Sequence, residues 1–270
     1  MLELTAERRA ELVALLDDDQ RLKADYPKVA DYLDTSSRLA GSSDGGFDLR
    51  LLHYMTGGES ANPYWDIVAP AVTERAGRRH VDGGQPDGSA RLAYAQVTLQ
   101  GAYAYAIPSP ETLRWIAGIC RDHQLLEVGA GRGYWAHQLA LLGVDVVAYD
   151  SRPPADRHNV SFPAAPGQPD AWFEVADATG LDWHRVGSDQ TLFLCWPPGW
   201  DDPMALDTLR QFEAAGGRQL LFVGQPKGGM TGNNAFFDRL MANWRLSERD
   251  DAFVSWWNLK DVAECWRLAG

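Results

Sequence analysis

The sequence predicts an α/β protein: a mostly parallel, doubly wound sheet preceded by an N-terminal helical cap. Two stretches carry that expectation. In Leu125-Leu126-Glu127-Val128-Gly129-Ala130-Gly131-Arg132-Gly133 an apolar run ends in a carboxylate and a glycine-rich turn, and residues 135–142 follow as an amphipathic helix. After Gly143, a second apolar run over 144–149 again ends in an acid, Asp150. Strand, glycine turn, helix and acid-tipped strand, in that order, open a doubly wound sheet and leave bare backbone at a helix N-terminus.

The elements follow in order. Residues 1–40 read as helices, because Leu2, Leu12, Val13, Leu15 and Leu16 recur at near-helical spacing and Asp17-Asp18-Asp19 and Pro27 interrupt them. Residues 41–46 are a loop. A helix over 47–55 stops at Thr56-Gly57-Gly58, and Asn62-Pro63 opens another from Tyr64 to about Arg79. Residues 81–89, rich in Gly, Asp and Pro, form the most flexible-looking segment. This gives a cap over 1–100 and a sheet domain over 101–270. The second opens with Ser109 as N-cap and Pro110 at the first helical position, so that Leu113, Trp115, Ile116 and Ile119 face a core. Strands are predicted at 124–128, 144–149, 172–175, 191–195 and 219–223. A helix over 236–244 follows, and 244–249 and 264–269 are expected to close the sheet as two last strands.

Composition narrows the partners. The chain has 270 residues, 45% of them hydrophobic, enough to bury a full core. A net charge of −12 argues against nucleic acid, whose backbone is bound by clustered Lys and Arg. Arg75, Arg78, Arg79 and His80 are the densest cationic group and read as a solvated helix end. No run has membrane-spanning length and residues 1–9 are polar, which predicts a cytoplasmic protein with no membrane partner. Cys120, Cys195 and Cys265 have no metal-ligand spacing and read as reduced thiols; no metal is expected. Lysine occurs only at Lys23, Lys28, Lys227 and Lys260, which with the Ala and Gly content suggests a high-GC bacterial genome.

Glycine spacing selects the ligand. A dinucleotide site needs G-x-G-x-x-G, but this turn is Gly129-x-Gly131-x-Gly133 with Tyr134 where the last glycine of that pattern would stand. Glu127 beside it disfavours a pyrophosphate and favours a cation. S-adenosyl-L-methionine, with a sulfonium and an ammonium and no phosphate, suits that charge.

From about Tyr103 onward the chain resembles the class I S-adenosylmethionine-dependent methyltransferases of small-molecule type. Their first motif, acid-x-Gly-x-Gly-x-Gly, matches Glu127 to Gly133. Asp150 falls on the acid of the second motif, Asp177-Ala178 on the third, and Cys195-Trp196-Pro197-Pro198 on the fourth. The resemblance implies a Rossmann-like sheet with an antiparallel last strand and S-adenosylmethionine as cofactor. It implies cofactor contacts at Glu127, Gly129, Ala130, Gly131, Gly133, Asp150, Asp177, Ala178 and Cys195, and at Tyr105 in the stretch before the first strand. Glu127 would orient the methionine end, Asp150 would accept from both ribose hydroxyls, and Asp177 from the adenine amino group.

The fourth motif departs from the pattern of amino-group methyltransferases, which carry Asn, Asp or Ser before two prolines and an aromatic after them. Trp196 takes the polar place and Gly199 the aromatic one, with Trp200 following. Trp196, Pro197 and Trp200 remain the expected substrate contacts. Eleven tryptophans in the chain fit an aromatic or amine-containing acceptor. Tyr105, His53 and His184 are the candidates for a catalytic role, although methyl transfer can proceed by positioning alone. The expected activity is methyl transfer to a nitrogen or carbon of a small molecule. The alternatives are cyclisation or aminocarboxypropyl transfer from the same cofactor, and cofactor binding without turnover. The sequence is compatible with a homodimer and does not require one.

Overall fold

The computed structural model describes residues 2–41, 46–156 and 161–269. Three helices, α1 (Ala6–Asp17), α2 (Asp19–Asp25) and α3 (Pro27–Ser36), break where the aspartates and Pro27 stand. Thr5 caps α1 by accepting the Arg8 amide at 3.1 Å, and Asp18 caps α2 by accepting the Arg21 amide at 2.9 Å. The loop expected at 41–46 falls mostly outside the described residues, which omit 42–45. α4 (Phe47–Met55) follows it.

The helix expected from Tyr64 to about Arg79 does not form. α5 (Pro63–Val68) ends early, and β1 (Val72–Arg75) pairs antiparallel with β2 (Arg78–Val81). Pro70 has no amide to continue a helix, and Val72 and Thr73 are β-branched. Ala76 and Gly77, with φ of 50° and 72°, make a two-residue turn whose twist matches a hairpin. The arginines read as a solvated helix end are tied into this hairpin. Arg75 pairs with Asp82 at 3.2 Å, Arg78 donates to the Asp261 carbonyl at 3.0 Å, and Arg79 to the Ala252 carbonyl at 2.8 Å. Tyr94 lies on α6 (Ala90–Ala102), and Tyr103 and Tyr105 follow it in an irregular segment.

α7 (Pro110–Ile119) starts at the Ser109 cap, whose Oγ accepts the Thr112 amide at 3.2 Å. Then come β3 (Gln124–Val128), α8 (Tyr134–Leu141), β4 (Val146–Asp150), β5 (Val175–Asp177), β6 (Gln190–Cys195) and α9 (Met204–Ala214). β7 (Gln219–Gly224), α10 (Asn234–Asn243), β8 (Trp244–Arg249), β9 (Val254–Trp256) and β10 (Val262–Leu268) complete the chain. β9 pairs in parallel with β2, so the cap region contains a small sheet whose third strand comes from near the C-terminus. The third strand of the main sheet begins later than expected. The Trp172 amide donates to the Arg132 carbonyl at 2.8 Å and not to β4, so only Val175 onward pairs.

The main sheet has seven strands in the order β5-β4-β3-β6-β7-β10-β8. β5, β4, β3, β6 and β7 are parallel to their neighbours, and β10 runs antiparallel between β7 and β8. Residue alternation builds two cores. Leu125, Phe193 and Leu221 meet α7 and α8 on one face, while Leu126, Leu192 and Leu220 meet α9 and α10 on the other. A third core joins the cap helices to Tyr134, Trp256 and Leu259. Among the described residues no helix is long and apolar enough to cross a membrane.

Candidate functional site

The parallel strands β3 to β7 all end on one rim, which carries Val128, Asp150, Asp177, Cys195 and Gly224. β10 runs the other way and starts opposite Gly224, so Asp261, one residue before it, stands at the same rim. Open α/β sheets bind ligands outside this edge.

The glycine turn is anchored to β4. The Gly129 and Ala130 amides both donate to the Tyr149 carbonyl, at 2.8 and 3.0 Å, and the Gly131 amide donates to Asp150 Oδ2 at 2.8 Å. Gly133 has φ 76°, and a Cβ there would lie 2.8 Å from the Phe173 Cβ, so both backbone and space require glycine. At Gly131 a Cβ would meet nothing within 4 Å, which leaves the outer face of the turn open to a ligand.

Three carboxylates occupy neighbouring strand ends. Glu127 is only 2% exposed, and its Oε2 has no hydrogen-bond partner. Burial pushes its carboxyl up to about 8, against the Ala136 amide and with a further push from Asp150. Asp150 is half-buried; its Oδ2 holds Gly131 and its Oδ1 accepts the Arg152 amide at 2.9 Å. Asp177 pairs in register with Asp150 across β4 and β5. It is exposed, and its Oδ1 accepts the Thr179 amide at 2.7 Å, which holds the carboxyl below its ordinary range. Ala178 follows, half-buried. The strip offers acceptors and negative charge, and so suits a ligand with hydroxyls, amino groups and a positive end.

Beyond β3, the fourth motif forms the next part of the rim. Burial raises the Cys195 thiol, with Glu127 and Asp261 adding to the shift. Trp196 takes a φ of 52°, an uncommon state for a side chain of its size. Its amide donates to the Val223 carbonyl at 2.7 Å and its indole Nε1 to Asp261 Oδ2 at 3.0 Å. Tyr105 stacks on it, with ring centroids 5.1 Å apart and planes 12° apart, and remains 56% exposed. Pro197 is buried and its carbonyl accepts the Gly232 amide at 3.0 Å. Gly199 stands where an aromatic was expected because a Cβ there would lie 2.5 Å from the Met230 carbonyl oxygen. Trp200 is 84% exposed and is not gathered with Trp196.

The order β5-β4-β3-β6-β7-β10-β8, with one antiparallel strand inserted next to the last position, decides the architecture. The fold is that of the class I methyltransferases. No family model matches the sequence, and no curated protein matches it. Solved structures with partial overlap include magnesium protoporphyrin IX methyltransferase from Synechocystis PCC 6803, at 10% identity and a TM-score of 0.40 over 66% of this chain and 88% of that one. The S-adenosylmethionine-dependent methyltransferase SibL, in its apo form, overlaps 98% of this chain and 77% of its own at 14% identity and a TM-score of 0.39. N,N-8-amino-8-demethyl-D-riboflavin dimethyltransferase from Streptomyces davawensis reaches 14% identity and a TM-score of 0.37, over 66% of this chain and 57% of that one.

Within this class I fold the two histidines have different settings. His53 lies on α4, where its Nδ1 accepts from Arg8 Nε at 3.2 Å, and burial and Arg8 hold its pKa down. His184 is exposed in a short turn shortly before Gln190, at the amino end of β6 and so on the far side of the sheet. Two features were not found in the sequence. One is Asp261; an acid just before a final antiparallel strand was the available signal. The other is an aromatic group of buried Tyr64, Tyr103 and Tyr134 with half-buried Trp172, with centroids 5.0–6.2 Å apart. It packs the cap against α8, and the Tyr134 hydroxyl donates to Asn62 Oδ1 at 2.9 Å.

Proposed function

We propose that the protein is an S-adenosylmethionine-dependent methyltransferase acting on a nitrogen or carbon of a small, aromatic or amine-containing molecule. The observation that supports this most is Glu127: a buried carboxylate with an unpartnered oxygen, beside an open glycine turn and next to Asp150 and Asp177. An ammonium group would satisfy Oε2 and lower the cost of the buried charge. Asp150 has a lone pair left on each oxygen for the two ribose hydroxyls. Asp177 Oδ2 would accept from the adenine amino group, with Ala178 beside it. The backbone of Gly129, Ala130, Gly131 and Gly133 would pass under the ligand, and Cys195 and Tyr105 would flank its methionine end. A pyrophosphate would bring two or more negative charges against the same carboxylates, which opposes a dinucleotide.

When bound, this cofactor supplies a methyl group on a positively charged sulfur, electrophilic at carbon. The residues of the chain would hold and orient it. Trp196 and Pro197 would place the acceptor, and the reaction gains most from that alignment. Titration calorimetry with S-adenosylhomocysteine tests the cofactor assignment. Turnover on supplied acceptors is expected to release S-adenosylhomocysteine; methylthioadenosine as the product would point instead to cyclisation or aminocarboxypropyl transfer.

A further inference from the structure

Among the described residues, two buried carboxylate oxygens at the rim have no hydrogen-bond partner: Oε2 of Glu127 and Oδ1 of Asp261. Both residues are 2% exposed. Cys195 feels both charges and lies between them, since β6 separates β3 from β7 and β10 in the sheet. An unpartnered buried acceptor is costly in a native protein, so each marks a place where a donor belongs. The oxygen of Glu127 adjoins the glycine turn and is accounted for by the ammonium group of the cofactor. That of Asp261 stands on the opposite side of Cys195, and no group of the cofactor remains for it.

We propose that Asp261 binds the methyl acceptor, and that this acceptor is an amine methylated at nitrogen, its apolar body lying against Tyr105 and Trp196. The inference rests on the reading that the rim holds S-adenosylmethionine. Trp196 fixes the carboxylate by its hydrogen bond to Oδ2, which leaves Oδ1 for a second donor. Trp196 itself is held at a positive φ by the motif around it, a strain of the kind found where a side chain must be aimed. Tyr105 extends the ring surface outward to solvent. The polar position that the fourth motif lacks at Trp196 is therefore supplied from the start of β10.

The groups facing the carboxylate are Arg78 from β2, Tyr64 from α5, Cys195 from β6 and the indole of Trp196. Arg78 is the one cation among these, and its guanidinium donates to the main-chain carbonyl of Asp261. Burial holds the Asp261 carboxyl up to about 7, so it can pair with an ammonium and can also hold a proton. The bound ammonium has no free electron pair, so an N–H bond breaks first: Oδ1 takes the proton and the nitrogen keeps the pair. That pair would then form the N–C bond to the methyl carbon as the carbon–sulfur bond breaks and its electrons stay on sulfur, and the methylated nitrogen carries the positive charge away.

Calorimetry on the protein loaded with S-adenosylhomocysteine tests this, with tryptamine and phenethylamine as probes against tryptophol and phenethyl alcohol, their hydroxyl counterparts. The amines are expected to bind about tenfold or more tighter than the alcohols, the scale of one charge-assisted hydrogen bond. Asp261→Asn is expected to abolish that preference and to leave S-adenosylhomocysteine affinity within about twofold. Amines that bind no better than alcohols, absence of binding by either included, overturn the inference. So does a preference that survives in Asp261→Asn, or a cofactor affinity that falls as steeply as that of the amines. The comparison of amine with alcohol needs only wild-type protein and stands even if the variant does not fold. Failure of S-adenosylhomocysteine to bind wild type overturns the cofactor reading itself, and this inference with it.

Discussion

Burial pushes the Glu127 carboxyl up to about 8, whereas an unfolded chain releases that proton near its ordinary value of 4.5. The folded protein therefore retains a proton that the unfolded chain loses. The resulting stabilisation is complete below that ordinary value and disappears as pH rises toward the folded value. Scanning calorimetry of ligand-free protein is expected to show a falling melting temperature between about pH 5 and 8, and Glu127→Gln a shallower fall. The fall is not abolished, because Asp261, raised to about 7, contributes with the same sign. Ligand binding runs the other way. An ammonium selects the ionised carboxylate, so S-adenosylhomocysteine affinity should rise by about tenfold per pH unit below 8 and then level off. An affinity independent of pH in wild type would separate Glu127 from the ligand. Glu127, Asp150 and Asp177 were legible in the sequence because each closes an apolar run. Asp261 was not, because what marks it is a contact with Trp196 from a distant part of the chain. His53 and His184 carried no such local mark; His184 sits before the amino end of β6, opposite the rim, and His53 is tied to Arg8 within the cap.

The glycine turn separates stability from binding at the scale of an element. Gly133→Ala would keep a left-handed φ of 76° and set a Cβ 2.8 Å from Phe173 Cβ and 3.1 Å from Val175 Cγ2, at the entry to β5. Backbone strain of about 1–2 kcal/mol and the displaced contact together predict a loss of about 2–4 kcal/mol. For a chain of this size that is a drop in melting temperature of roughly 5–15 °C by circular dichroism. Gly131→Ala has the same backbone penalty at φ 57° but meets nothing within 4 Å. It should lose only that backbone strain of about 1–2 kcal/mol and show its main effect in cofactor affinity. A larger melting loss at Gly131 than at Gly133 would contradict this division. Strands β3, β6 and β7 were legible because apolar runs bounded by polar residues have few alternatives. The hairpin of β1 and β2 was hidden by an Ala-Gly turn, a weaker signal than Asn-Gly. β9 was hidden because its partner in the sheet, β2, lies far away in sequence and it is too short to show a period.

On the scale of the whole molecule, the cap and the sheet domain share a core. The Tyr134 hydroxyl accepts the Tyr64 amide at 3.2 Å, Gln138 Nε2 donates to the Ala61 carbonyl at 2.8 Å, and Trp256 Nε1 donates to the Tyr64 hydroxyl at 3.0 Å. Each bond joins the first hundred residues to the rest, so the proposed division near residue 100 is one of sequence more than of packing. Unfolding followed by tryptophan fluorescence and by far-ultraviolet circular dichroism should therefore coincide in one transition. Two separated transitions would make the cap an independent unit. The central claim is that the rim between the glycine turn and β5 holds S-adenosylmethionine, and Asp150 tests it most directly. Titration calorimetry should show S-adenosylhomocysteine binding to wild type and binding weakened about thirtyfold to a thousandfold in Asp150→Ala, from the roughly 2–4 kcal/mol of a lost charge-assisted pair. Asp150→Asn, which can still accept once, should lose less. Equal affinity in wild type and Asp150→Ala would contradict the account.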